Sequence, residues 1–462
     1  MRKPIAFCAA VLGLACGTSA ARNSGTSAGV PQGCNVDSDC AASPATPICV
    51  SGACVAGCAN DASCDIGQTC DLSSHRCVDA SGPTTGGTDA GTLNGNDAGV
   101  DASDAGTAVP DAGDAGVTVA DAGTNATAIV VRYPSNGHKL TLRGNGAGLN
   151  WAAGAAMVDA GGGTWTYALP VLGTDLEYKP LLDDQIWSLG PNYVVPVGVG
   201  SDIAPRFTTP AGRIEAHPSW PSKILGNTRD VWIYLPPSYD ENTLVRFPVI
   251  YMNDGQNLFN DATAFGGNSW HAADAMNNGA ADGTIREAII LGVSATSDRM
   301  GEYTPVPDPN DGGGRGDLYL RFLVEEMKPA IDASFRTLPG QGTTAIIGSS
   351  LGGLISAYAG VTHAETFGLI GAVSPSTWWD NRYILGAIGA APASAQKLVR
   401  VYVDSGDSGP SNDDVTNTAQ LAKTYRGLNV SVDYVVQPGG QHSEIYWAQR
   451  LPGALRFLLG PR

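Results

Sequence analysis

The feature that most constrains this chain is a strand, a tight turn and a helix centred on Gly348-Ser349-Ser350-Leu351-Gly352. The apolar run Thr344-Ala345-Ile346-Ile347 before it reads as a buried strand, and Leu354-Ile355-Ser356-Ala357-Tyr358-Ala359 after it has helical spacing. A Gly-x-Ser-x-Gly turn between such elements is strained, so the residues two before and two after the serine must be small. Glycines 348 and 352 meet that need. Ser350 is then expected at the tip of the turn, with the first amides of the helix beside its hydroxyl. Context matters more than the letters. Gly25-Thr26-Ser27-Ala28-Gly29 fits the same pattern, but in a polar stretch with neither strand nor helix around it.

The alternation of strands and helices extends over residues 213–462. Val231-Trp232-Ile233-Tyr234-Leu235, Pro248-Val249-Ile250-Tyr251-Met252 and Ala288-Ile289-Ile290-Leu291-Gly292-Val293 read as buried strands. Ile346-Ile347, Ala372-Val373-Ser374, Val399-Arg400-Val401-Tyr402-Val403 and Val432-Asp433-Tyr434-Val435-Val436 do so too. Leu318 to Phe335 and Val415 to Arg426 have helical spacing. This is the signature of an α/β domain with a mostly parallel sheet covered on both faces.

The segments upstream differ sharply. Residues 1–20 have a charged start, Arg2-Lys3, and an apolar run from Ile5 to Ala15 that is too short to span a bilayer. With small residues before Cys16, this stretch resembles a lipoprotein-type export signal, so the expected location is the cell envelope (outer membrane), with the lipid as the only membrane attachment; the alternative is a plain secretory signal cut near Ala20 and a secreted protein. Eight cysteines fall within residues 34–78, in two similar units, Cys34-Cys40-Cys49-Cys54 and Cys58-Cys64-Cys70-Cys77. An even set behind an export signal, without close Cys-x2-Cys pairs, favours a disulfide module of two repeats over a metal site. Residues 79–126 are Asp, Ala, Gly, Thr and Ser, a composition that cannot offset chain entropy, and read as a disordered acidic linker. Residues 127–212 carry short strand candidates at regular spacing, the pattern of a β-sandwich. This stretch resembles the immunoglobulin-like modules in front of some carbohydrate-active enzymes. Its Trp151, Trp165 and Trp187 are candidates either for stacking on sugar rings or for the sandwich core. The net charge is −17 without a basic stripe, which argues against a nucleic-acid partner.

An activated serine needs a base, and the base an orienting group. Of the six histidines, His442 follows the last predicted strand after Gly439-Gly440-Gln441, at the carboxyl end of the sheet where such folds place site residues. The acid is expected after the preceding strand, within Asp404-Ser405-Gly406-Asp407-Ser408-Gly409-Pro410-Ser411-Asn412-Asp413-Asp414. Asp407 is favoured, with Asp413 and Asp414 as alternatives that could instead cap the helix from Val415. The oxyanion donors are expected to be the amides of Leu351 and of Gln256, the latter in the turn Asn253-Asp254-Gly255-Gln256-Asn257. No zinc motif, phosphate-cradling loop or dinucleotide fingerprint occurs, so neither metal nor cofactor is expected.

Several runs together carry a specific resemblance. These are Tyr251-Met252-Asn253-Asp254-Gly255-Gln256-Asn257-Leu258-Phe259, Arg299-Met300-Gly301-Glu302-Tyr303, Gly348-Ser349-Ser350-Leu351-Gly352-Gly353, Ser374-Pro375-Ser376 and Gly439-Gly440-Gln441-His442-Ser443-Glu444. In this order they resemble the putative-esterase (esterase D-like) family of α/β hydrolases, which includes feruloyl and acetyl xylan esterases and enterochelin esterases. The resemblance implies Ser350 and His442 as catalytic, with Leu351 and Gln256 supplying the oxyanion amides. Many relatives carry the acid three residues after the glycine matching Gly406, whereas that position here is Gly409. The resulting expectation is an exported serine esterase acting through an acyl-enzyme on a carbohydrate-linked ester. The alternatives are a siderophore ester hydrolase or acyltransferase and, in another class, a non-catalytic surface binding or adhesion protein on the same scaffold.

Overall fold

The computed structural model describes residues 127–461 and the backbone of four short strands upstream, Pro47–Val50, Ala53–Ala56, Gln68–Asp71 and Arg76–Asp79. Those four form two antiparallel hairpins, with Cys49 opposite Cys54 and Cys70 opposite Cys77. The export signal with Cys16, the second Gly-x-Ser-x-Gly match at Ser27 and the acidic linker lie outside the described residues.

Residues 128–203 build two sheets around one core. In the first, Ala128–Arg132 lies between Thr164–Ala168 and Ser201–Ile203. In the second, Leu140–Gly144 pairs antiparallel with Leu176–Leu182. Burial alternates along Ala128–Arg132 and Leu140–Gly144, the period-2 pattern of half-buried strands. Ile129, Val131, Leu142, Trp165 and Tyr178 meet between the sheets. Trp165 is thus core, and its indole N–H donates to the Tyr133 carbonyl at 3.1 Å. Trp151 and Trp187 remain exposed and stack on each other, with ring centroids 6.4 Å apart.

Polar contacts, most of them half-buried, fasten the sandwich to the C-terminal α/β part. The Glu241 carboxylate accepts the backbone N–H groups of Phe207, Thr208 and Thr209. Burial pushes this carboxyl up, but those amides outweigh it and hold it below its usual range. Asn242 Nδ2 donates to the Arg132 carbonyl at 2.8 Å.

The C-terminal part is an eight-stranded sheet. Its strands are β1 (Arg213–Ser222), β2 (Asn227–Leu235), β3 (Val249–Asn253), β4 (Ile289–Val293), β5 (Thr344–Ser350), β6 (Leu369–Pro375), β7 (Arg400–Gly406) and β8 (Ser431–Gln437). They run in the order β1-β2-β4-β3-β5-β6-β7-β8, antiparallel at β1-β2 and β2-β4 and parallel elsewhere. β3, β4 and β6 are buried at every position, as a sheet covered on both faces requires. Four of its helices are α1 (Ala272–Asp282), α2 (Leu351–Thr362), α3 (Val415–Arg426) and α4 (Glu444–Leu459). Trp270 and Met276 pack with Trp447, Leu451 and Leu455 on one face. Leu354 and Ile355 of α2 and Leu421 and Tyr425 of α3 belong to the core on the other.

β1 escapes the hydrophobic reading because it is a polar edge strand containing Pro218 and Pro221. Its pairing with β2 is interrupted between His217 and Trp220, where Ser219 has φ 57°. Among the described residues, no helix is long and apolar enough to cross a membrane.

One ion pair anchors the edge of the site inside this scaffold. Arg229 on β2 and Glu302 in the turn Arg299–Glu302 are both almost fully buried, 2.9 Å apart, with Asn227 donating to the same carboxylate. The Arg229 guanidinium also lies over the Phe322 ring, 4.9 Å from its centroid. Removing one member strands the other charge in the core. Glu302→Ala is therefore expected to cost about 3–5 kcal/mol of stability. A denaturant titration of the variant against the parent protein measures it.

Candidate active site

The six parallel strands place their following loops at one end of the sheet, after β3, β4, β5, β6, β7 and β8. Ser350 ends β5 with φ 57° and ψ −123°, a conformation that non-glycine residues rarely hold outside functional turns. The flanking glycines have steric reasons. A Cβ at Gly348 would come 2.7 Å from the Gly352 backbone, and one at Gly352 would come 3.2 Å from Asn253 Cβ. The Ser350 hydroxyl lies 3.3 Å from the Ser376 hydroxyl, and the Ser350 carbonyl accepts the Ser376 N–H at 2.9 Å.

His442 stands after β8, with Nδ1 2.5 Å from Asp413 Oδ1. The edge of its ring system meets Trp447, centroids 5.0 Å apart and planes at 87°. The Asp413 side chain has no solvent exposure. Its second oxygen accepts from the Ser374 hydroxyl at 2.6 Å and the Gly406 N–H at 2.5 Å. Burial pushes this carboxyl up, but the hydrogen bonds from His442, Ser374 and Gly406 outweigh it and leave its pKa below the usual value. Asp413 is therefore ionised throughout the neutral range and holds an Nδ1–H on His442, leaving Nε2 as the basic nitrogen.

A buried network stands behind this pair. Arg450 of α4 donates from Nη2 to the Ser374 hydroxyl at 2.7 Å, and its Nη2 lies 3.8 Å from Asp413 Oδ2. Arg450 Nε is 3.0 Å from Asp404 Oδ2, a close charge contact without the alignment of a hydrogen bond. Asp404 Oδ1 accepts the Ser374 N–H at 3.0 Å. Full burial raises the Asp404 pKa against the pull of Arg450.

Asp407, the favoured acid in the sequence reading, does not face His442. Its carboxylate is exposed and accepts the Gly439 N–H at 2.7 Å, tying the loops after β7 and β8 together. The cause is the path of the chain. Gly409 takes φ 79°, and Ser411, Asn412, Asp413 and Asp414 succeed it in a left-handed turn with φ between 49° and 59°. That turn reverses the loop and returns Asp413 onto the Gly406 amide. Asp414, the other alternative, accepts from Asn417 Nδ2 at 2.7 Å in the first turn of α3.

The candidate oxyanion donors fall on two coupled turns. Leu351 is the first residue of α2, and Gln256 lies in the 3-10 turn Gly255–Asn257 after β3. First-turn amides have no acceptor within their own helix. Asn253 Nδ2 donates to the Gly352 carbonyl at 3.1 Å, while its oxygen accepts from Tyr319 Oη at 2.7 Å. The second turn starts at Asp254, in the left-handed region at φ 58°. Arg299 grips its carboxylate through two bonds of 2.7 and 2.8 Å. Gly255 admits no Cβ, which would come 2.3 Å from the Gly292 backbone.

The sequence reading did not assign roles to Ser374, Ser376, Asp404 or Arg450. Ser374 and Ser376 were visible in the Ser-Pro-Ser motif, but Arg450 sits on a helix face without any local signal.

The parallel sheet, the strained serine turn and the loop histidine together define an α/β hydrolase. The "Putative esterase" family model matches residues 222–458, so the chain belongs to that family and its chemistry is ester hydrolysis. It is 26% identical over 251 residues to an uncharacterised protein, YbbA, of Bacillus subtilis, covering 52% of this chain and 96% of that one. It is 32% identical over 134 residues to a siderophore enterobactin esterase of Emericella nidulans, covering 27% of this chain and 44% of that one. Over 175 residues it is 26% identical to an endo-1,4-beta-xylanase/feruloyl esterase of Xylanibacter ruminicola, covering 36% of this chain and 22% of that one. The chain thus spans nearly the whole Bacillus relative and less than half of the other two.

The geometry predicts a clear ranking of the three aspartates. Asp413→Asn puts an amide where a carboxylate must accept from His442, and is expected to lower kcat by up to about 10⁴-fold. Asp407→Asn and Asp414→Asn keep an accepting oxygen and are expected to stay within about threefold of the parent. The same replacement bears on acid stability. A carboxyl whose folded pKa is depressed stabilises above its unfolded pKa and loses that contribution as pH falls through the folded value. Asp413→Asn is therefore expected to flatten the fall of melting temperature below about pH 4, where an unperturbed aspartate titrates. Steady-state rates and a pH series of melting curves check both.

Proposed function

We propose that the protein is a serine esterase in which Ser350 is the nucleophile, His442 the general base and Asp413 the acid that orients it. The observation that carries this reading is the 2.5 Å contact between His442 and the fully buried Asp413 side chain at the sheet end that also bears the strained Ser350. In the described state the Ser350 hydroxyl bonds to Ser376 rather than to His442. Such contacts often form only once substrate is present.

The chemical steps rest on these positions. Ser350 Oγ attacks the ester carbonyl as His442 Nε2 takes its proton. The amides of Leu351 and Gln256 receive the developing oxyanion. The imidazolium, stabilised by Asp413, then protonates the departing alcohol, and an acyl-enzyme remains. Water activated by His442 releases the acid and restores Ser350.

The substrate we propose is a carbohydrate-linked ester of the feruloyl or acetyl type, acted on outside the cytoplasm. A relative named as a xylanase/feruloyl esterase, the sandwich in front of the hydrolase sheet and the export-type start of the chain support this reading. The relative named as an enterobactin esterase favours a second one, hydrolysis of a siderophore ester.

A fluorophosphonate probe tests the mechanism directly. The parent protein is expected to incorporate the label at Ser350, and Ser350→Ala to lose it together with at least about 10⁴-fold of its activity on short nitrophenyl esters. Retained activity in a folded Ser350→Ala protein would refute the assignment and leave the scaffold role, a surface binding protein, as the better reading.

A further inference from the structure

The proton that His442 takes from the serine must later reach the oxygen of the departing alcohol. The alcohol half of the substrate therefore has to lie against His442. The cleft that His442 lines has a volume of about 460 Å³, and its other walls indicate what kind of alcohol fits.

Its apolar wall is Pro375, Trp378 and Pro410. Trp378 is 47% exposed, while its neighbour Trp379 is 1% exposed and fixed by an indole N–H bond of 2.8 Å to the Val306 carbonyl. The chain then turns away through Asp380, Asn381 and Arg382, all at positive φ, which leaves the Trp378 ring uncovered. Exposing an indole costs free energy that burial would recover, so an aromatic held bare beside a reacting group invites a ligand face. The rim is neutral and polar, from Ser411 and Gln441. Among the described residues that line the cleft, the carboxyl groups are those of Asp413 and Asp414, and neither lysine nor arginine is present.

We propose that this cleft is a subsite for a neutral sugar residue, the alcohol that carries the ester, stacked on Trp378 with its hydroxyls read by Ser411 and Gln441. A flat apolar face bounded by uncharged hydrogen-bonding groups matches a sugar ring, which presents C–H bonds on its faces and hydroxyls at its edge. The inference rests on the esterase reading and names the alcohol side of that same site.

The test uses the full-length protein and its Trp378→Ala, Trp378→Phe and Gln441→Ala variants. Ferulate and acetate are each presented as the methyl ester and as the ester of a pentose. The quantity read is the ratio of kcat/KM for the pentose ester to that for the methyl ester. We expect this ratio to fall about tenfold in Trp378→Ala, mainly through KM, to recover in part in Trp378→Phe, and to fall by a smaller factor in Gln441→Ala. A ratio within about twofold of the parent value in Trp378→Ala and Gln441→Ala alike would overturn the subsite while leaving the esterase reading intact. Faster hydrolysis of a catecholate siderophore ester than of every pentose ester would overturn it as well. Failure of the parent protein to hydrolyse any of these esters would overturn the carbohydrate-ester reading itself.

Discussion

The structure depends on a carboxylate that is ionised although it is buried. Asp413 has no solvent exposure, and an isolated charge there would be pushed to neutrality. Three donors prevent it: the imidazole of His442, the Ser374 hydroxyl and the Gly406 amide. Each comes from a different part of the chain, so the charge exists only when β6, β7 and the loop after β8 are all in place. Arg450 adds a positive group from α4 and, through Ser374, links Asp413 to a second buried carboxylate, Asp404. The network contains two acids and one cation, and a folded pKa that is raised for Asp404 and lowered for Asp413. Burial without full pairing favours the neutral acid, and convergent donors favour the anion.

The loop that delivers Asp413 shows how a local rule is set aside for a site. Four successive non-glycine residues in the left-handed region cost on the order of 1–2 kcal/mol each. The sequence there is Ser411-Asn412-Asp413-Asp414, and Asn and Asp are the residues that tolerate this conformation best. The return is a carboxylate placed seven positions beyond Gly406 that bonds to the Gly406 amide itself. Gly409, three residues beyond Gly406, opens the turn at φ 79° and lies against Gln441.

Much of this was legible in the sequence, for physical reasons. The central strands read correctly because strands covered on both faces must be apolar throughout. α3 was found at its full extent, Val415–Arg426, from helical spacing. The serine turn was legible because its steric demand falls on fixed glycines, and His442 because it comes just after a strand end. β1 was not, since an exposed edge strand carries no apolar signal and tolerates proline. The structure sets Asp413 rather than Asp407 against His442, which spacing along a loop does not specify when consecutive residues reverse handedness. The role of Trp165 as core and the exposure of Trp151 and Trp187 were likewise decided by packing between two sheets, which a single strand's pattern does not contain.

The central claim is that Asp413, and not Asp407, holds the proton of His442. A hydrogen bond of 2.5 Å between an imidazole and a carboxylate deshields its proton strongly, so it is read directly in a one-dimensional proton spectrum of the folded protein in water. The account predicts a far-downfield resonance from His442 Nδ1–H that survives Asp407→Ala and is absent in Asp413→Ala and in His442→Ala. A resonance that persists in Asp413→Ala and disappears in Asp407→Ala would contradict it.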